Sequence, residues 1–141
     1  MNQRELKFRV WDNEYKQWVS YSEYQSLPDD FVRHEDCNPL FILKGRNDES
    51  NRFVIEQYTG LKDSLGNEIY EGDIVKTIYA DKPESSIGDI IFTYEVGAYR
   101  VRCKNQLLPI VTYRVVNGSP QGLLTVADKV IGNIHQNIEL L

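Results

Sequence analysis

The run Gln57 to Lys76, QYTGLKDSLGNEIYEGDIVK, alternates turn chemistry with strand chemistry, and no catalytic constellation falls within it. Thr59-Gly60 is expected to stop an extended run. Asp63-Ser64-Leu65-Gly66-Asn67 reads as a compact turn, because Gly66 and Asn67 tolerate positive φ, and Glu68-Ile69-Tyr70 resumes extended structure. Glu71-Gly72-Asp73 turns the chain again into a strand from Ile74 to Tyr79. Gly60, Gly66 and Gly72 are therefore expected to be turn glycines. Asp73 is expected to accept backbone N–H bonds with its short side chain and so fix entry into the Ile74 strand.

The same grammar recurs on both sides. Leu6, Phe8 and Val10 alternate with Lys7, Arg9 and Trp11, the period-two pattern of a strand with one buried face. Asp12-Asn13-Glu14 supplies turn residues and Lys16 to Tyr21 returns, a hairpin that sets Trp11 and Trp18 near its turn. Ser22 to Pro39 is polar and acidic, broken at Pro28-Asp29-Asp30 and Asn38-Pro39, and reads as an irregular excursion with room for a short helix. Leu40 to Leu43 and Arg52 to Tyr58 read as strands around the loop Gly45 to Asn51. Beyond an exposed loop at Asp81 to Ser86, Asp89 to Glu95, a turn at Val96-Gly97, and Ala98 to Lys104 form a second hairpin.

Leu107 to Val116 and Lys129 to His135 are β-rich, Gly118 to Gly122 reads as a loop, and Leu123 to Ala127 fits a strand or a helical turn. Gly132, inside VIGNI, predicts a bulge or a close approach of another backbone. The fold class is mainly β: an N-terminal β-hairpin region followed by a small SH3-like barrel, with few or short helices. The expected division is residues 1–70, containing the excursion 22–39, and residues 71–141, with one shared core as the alternative.

The opening LKFRVWDNEYKQWV (Leu6 to Val19), the central QYTGLKDSLGNEIYEGDIVK and the closing KVIGNIHQNIELL (Lys129 to Leu141) together resemble the YopX family of bacteriophage and prophage proteins. The resemblance covers both ends and the centre, while Ser20 to Asn51 and Ala80 to Asp128 diverge. It implies a phage accessory protein and no particular reaction.

A chain of 141 residues, 41% hydrophobic and 26% charged, with nine tyrosines, can bury a core and is expected to fold. The start, Met1 to Glu5, lacks the apolar segment of a signal peptide, and no apolar run approaches the roughly 20 residues of a membrane span. The expectation is a protein of the bacterial cytoplasm with no membrane partner. In that compartment Cys37 and Cys103 are expected to stay reduced.

The formal charge of −5 argues against a broad phosphate-tracking surface. A local basic patch remains open: Arg100, Arg102 and Lys104 alternate on one strand, with Arg114, Tyr99 and Tyr113 near, so phosphate contacts and base stacking could share a face. Against that stands the reading of a solvated strand face opposite Val101 and Cys103.

His34, Cys37, Cys103 and His135 have the stoichiometry of a tetrahedral zinc site, but only His34-x-x-Cys37 is local, so no metal is expected. Nor does anything in the sequence pair these residues for Cys–His catalysis. Carboxylates gather at Asp29, Asp30, Glu35 and Asp36, at Asp48 and Glu49, and at Asp63, Glu68, Glu71 and Asp73, where paired acid–base work would require burial. Phosphate-loop, dinucleotide and nucleophile-elbow motifs do not occur. No catalytic residue and no cofactor is assigned.

Three function classes follow. The first is a non-enzymatic phage accessory protein that works through protein contacts, as a homo-oligomer and with an unidentified phage or host protein. The second is a small barrel that binds nucleic acid through the Arg100 strand, and the third is a carboxylate- or metal-dependent enzyme. The apolar residues Ile138, Leu140 and Leu141 close the chain where a free tail would be polar, so this segment is expected to dock, within the subunit or onto a neighbour.

Overall fold

Alternation in the opening segment becomes β1 (Phe8–Asp12), and the reversal through Asn13 to Lys16 leads into the short β2 (Gln17–Trp18). The computed structural model describes residues 5–19, 31–32, 42–43, 52–78 and 86–141. These divide into two compact units, Met1–Tyr58 and Thr59–Leu141.

In the first unit Trp11 pairs with Trp18 across the hairpin, and their rings meet edge to face at 5.1 Å. Asp12 closes the turn from inside. Its buried carboxylate accepts the backbone N–H groups of Glu14 at 2.8 Å and Tyr15 at 3.2 Å, and takes Nε and Nη2 of Arg52. Burial works to raise the Asp12 pKa, but the Arg52 guanidinium and the two N–H donors outweigh it and hold the carboxyl below its ordinary value. β3 (Phe31–Val32) and β4 (Ile42–Leu43) form a two-residue antiparallel pair. The rest of the excursion 22–39 and the loop 45–51 lie outside the described residues.

β5 (Phe53–Lys62) pairs antiparallel with β1, setting Glu56 opposite Arg9. Glu56 is buried, and Arg9 Nε and Nη2 reach it at 2.8 and 2.7 Å. The strand does not stop at Thr59-Gly60: it runs on to Lys62, with Gly60 at φ +86° inside it. Only glycine takes that backbone without strain, and Thr59 braces the kink by donating its hydroxyl to the Ile69 carbonyl and accepting the Leu61 N–H.

β6 (Glu68–Tyr70) completes the first sheet, ordered β2-β1-β5-β6. The second sheet is ordered β10-β9-β8-β7-β13, from β7 (Asp73–Thr77), β8 (Ile87–Thr93), β9 (Ala98–Cys103), β10 (Gln106–Pro109) and β13 (Ala127–Asn133). Its neighbours are all antiparallel. β11 (Val111–Val116) and β12 (Ser119–Thr125) form a separate hairpin. The mainly β expectation holds, and the one helical element among the described residues is a 3-10 turn, Ile138–Leu140. No helix there is long and apolar enough to cross a membrane.

The core of the second unit gathers Ile69, Val75, Ile90, Val101, Leu108, Ile110 and Val126. All are aliphatic, and most are β-branched, the side chains that pack well on a pleated surface. Ser119 to Gly122, expected as a loop, lies in β12. That strand pairs with β11 alone, a two-stranded setting in which an edge proline is tolerated, and its register shifts between Tyr113 and Val115. Register also shifts between Val130 and Gly132, where an added Cβ would come within 2.7 Å of Asn137 Oδ1.

Candidate functional site

β9 sorts its side chains by alternation. Val101 and Cys103 are buried in the core, which sends Arg100 and Arg102 to the other face. Arg102 faces Asp89 across the ladder and grips it with two bonds, Nε to Oδ1 at 3.0 Å and Nη2 to Oδ2 at 2.6 Å. The Asp89 carboxylate is almost fully enclosed whereas the Arg102 side chain is 58% exposed, so the guanidinium lies over the acid like a lid. That grip raises the Arg102 pKa.

Arg100 has no such partner: no carboxylate among the described residues pairs with it. It stands between Ile91 of β8 and Pro109 of β10 in the ladder. Lys104 is exposed in the turn that follows. The Arg114 side chain lies outside the described set, although its backbone belongs to β11. Of the basic strand expected from the sequence, Arg102 is thus committed to an internal ion pair, and Arg100 and Lys104 keep free charges.

Arg100 also lines an open groove of about 380 Å³ with Thr93, Glu95, Val96 and Leu107. Most of its wall is carbon. Thr93 ends β8, Glu95 and Val96 belong to the reversal Tyr94 to Gly97, and Leu107 comes from β10, which lies against β9. Val96 is 58% exposed, Leu107 54% and the adjoining Tyr94 88%, a concentration of bare apolar surface at one end of the sheet. Phe92 supports Tyr94 edge to face at 5.3 Å and meets Tyr99 in the same way at 5.1 Å.

The turn residues form a second, inward-facing constellation. Gly66 and Gly72 have φ of +85° and +75°. Asp73 is buried and accepts the Tyr70 N–H at 2.8 Å, while Asn133 Nδ2 lies 3.5 Å from its other oxygen. Gly72 donates to the Ile90 carbonyl and accepts from the Ile134 N–H, which ties this turn to the chain on both sides. Glu68 accepts the Tyr70 hydroxyl at 2.8 Å, and Glu71 is half-buried.

Asp63 holds the other turn shut. Its carboxylate accepts the N–H groups of Leu65 and Asn67, the Asn67 amide and the Val130 N–H, all between 2.8 and 3.0 Å. Burial presses its pKa upward, but these four donors prevail and keep it below the ordinary value. Every lone pair is thereby engaged within the chain, which suits a structural staple and leaves nothing for proton transfer.

Cys103 is a free, buried thiol whose pKa burial raises, with the nearby Asp89 charge adding to the effect. A thiol held protonated is a poor nucleophile and a poor metal ligand. His135 donates its backbone N–H to Asn133 Oδ1 and is half-buried. His34 and Cys37 lie outside the described residues, as do Asp29, Asp30, Glu35, Asp36, Asp48 and Glu49. Among the described residues no group of three His, Cys, Asp or Glu side chains is placed to hold a metal ion.

Sequence reasoning found the Arg100 strand but missed the groove beside it, because its five residues come from β8, β9, β10 and a turn, and only the ladder brings them together. The signal available was Tyr94-Glu95-Val96 in the hairpin turn, where a tyrosine and a valine replace the usual small polar residues.

No curated protein matches the chain. Among solved structures, the chain is similar to protein EF1440 from Enterococcus faecalis, with 27% identity, 99% of each chain covered and a TM-score of 0.50. The family model described as YopX protein matches residues 7–141. The three segments from which the resemblance was drawn thus fall almost wholly inside one continuous match, and the chain belongs to the YopX family.

Proposed function

We propose that this protein works through protein contacts, as a homo-oligomeric accessory protein of a bacteriophage or prophage in the cytoplasm of the bacterial host. The observation that carries the reading is the bare apolar end of the second sheet, where Tyr94, Val96 and Leu107 surround a groove with a single unpaired guanidinium. Exposed aromatic and aliphatic side chains beside an arginine are the composition of a protein-binding patch. The phage setting rests on the family resemblance. Light scattering on the intact chain at concentrations well above micromolar tests the self-association, with a mass above that of the monomer expected. A pull-down from lysogenic host cells then asks for the phage or host protein.

A second reading, nucleic-acid binding through the Arg100 strand, draws support from the free charges of Arg100 and Lys104. The Asp89 clamp on Arg102 and the net charge of −5 weigh against it. Retention on heparin or single-stranded DNA that falls steeply with salt would favour this second reading over the first.

A further inference from the structure

We infer that the groove lined by Val96, Arg100 and Leu107 receives the 3-10 turn Ile138–Leu140 of a second copy, with Glu139 paired to Arg100. This inference rests on the proposed homo-oligomeric reading and names its contact. The turn is anchored at its base and bare at its tip. Asn137 is bound by its N–H to the Asn133 carbonyl at 2.8 Å and packs against Gly132, and Leu140 and Leu141 close the turn through their N–H groups. Beyond that base nothing in the turn is buried: Ile138 is 62% exposed, Leu140 38% and Leu141 50%.

Groove and turn are complementary in two independent respects. The groove offers the apolar side chains of Val96 and Leu107 and a guanidinium, Arg100, that no carboxylate among the described residues pairs, Glu95 of the same wall included; the turn offers three aliphatic side chains around an exposed carboxylate. Glu95 on the same wall disfavours a second acid near it, so the Glu139 carboxylate is assigned to Arg100. Within one chain the two do not cover each other, since Leu107 and Val96 remain as exposed as Ile138. A second copy carries the matching segment by construction. Reciprocal exchange, each turn in the other copy's groove, closes as a two-fold dimer and buries the pair of contacts twice.

The test is a charge exchange read by light scattering and sedimentation over a range of concentrations, with a thermal melt on each protein to confirm folding. Glu139→Arg and Arg100→Glu are each expected to weaken the dimer at least about tenfold, since each sets like charges together. The double variant, with the charges reversed, is expected to recover wild-type association to within about threefold. Leu140→Ser, which leaves the charges alone, is expected to weaken it as well. A wild-type chain that stays monomeric well above micromolar overturns the homo-oligomeric reading itself. A dimer insensitive to both single variants, or singles that the double fails to rescue, overturns the groove assignment and leaves self-association standing.

Discussion

The carboxylate of Asp63 accepts a 3.0 Å hydrogen bond from the backbone N–H of Val130, a residue 67 positions further along the chain. Ser64 adds two more links across the same gap, donating its N–H and its hydroxyl to the Asp128 carbonyl at 2.9 and 2.8 Å. A five-residue turn, local in sequence, thereby fastens the start of the second unit to its last strand.

Removal of this staple should be costly. Asp63→Ala leaves the Val130, Leu65 and Asn67 N–H groups without their acceptor, a loss of roughly 2–3 kcal/mol by the cost of unsatisfied buried donors. The pH dependence has a definite sign. Because the folded pKa lies below the ordinary carboxylate value of 3.8, the stability from Asp63 is fully present above that value and is lost as pH falls through the lower folded one. Urea melts from about pH 6 down to about pH 2 should show a shallower acid loss in Asp63→Asn than in the wild type. Equal acid slopes would mean that Asp63 titrates alike in both states.

Two glycines separate two reasons for needing glycine. Gly66 sits at φ +85° with open space where a Cβ would go, so Gly66→Ala meets backbone strain alone, about 1 kcal/mol. At Gly88 an added Cβ would lie 2.5 Å from the Arg102 carbonyl oxygen and 2.9 Å from Cys103 Sγ, so β8 and β9 must part to admit it. Gly88→Ala should therefore cost more than Gly66→Ala, roughly 2–3 kcal/mol as an overpacked core position. Chemical denaturation of both variants decides the order.

Cys103 should resist modification while the fold lasts. In a Cys37→Ser variant, which leaves Cys103 as the sole thiol, a disulfide reagent at neutral pH is expected to react only at the rate of global opening, and fully once denaturant is added. Rapid stoichiometric reaction of the native protein would contradict the burial of this side chain.

Strands and turns were legible because they are local. The strands at Phe8 to Trp11 and Ala98 to Cys103, the tight turn at Gly66 and the reversal at Gly97 each follow from local pattern and backbone tolerance, but the single buried face expected of the first strand does not hold, because Val10, Trp11 and Asp12 are buried in succession and Leu6 is exposed. Gly60 reads as a stop because a glycine in a strand and a glycine ending one look alike in sequence; in the fold β5 has ladder neighbours on both sides and the Thr59 hydroxyl bridges Leu61 and Ile69 at the kink. The Ser119 to Gly122 segment was misread for a related reason, since its Pro and Gly are tolerated on an unpaired edge that sequence does not announce. The groove was illegible because ladder register, which sets Leu107 beside Arg102 and Arg100 beside Ile91, is a tertiary fact.

The ion pair between Arg102 and Asp89 yields the last prediction, because it separates a structural arginine from a binding one on the same strand. Arg102→Met removes the partner of a carboxylate only 3% exposed. Loss of one member of a fully buried pair costs about 3–5 kcal/mol, but the Arg102 head is largely solvated and water can replace it, so roughly 1–2 kcal/mol is expected. Arg100→Met breaks no ion pair within the chain among the described residues and, measured dilute enough that the chain is monomeric, should leave the melting temperature nearly unchanged. Retention on heparin should respond the other way: little effect from Arg102→Met, whose charge Asp89 already neutralises, and any weak basal retention reduced by Arg100→Met. If Arg102→Met instead melts like the wild type and elutes at markedly lower salt, Arg102 serves a polyanion rather than Asp89, and nucleic-acid binding through this strand becomes the better account of the protein.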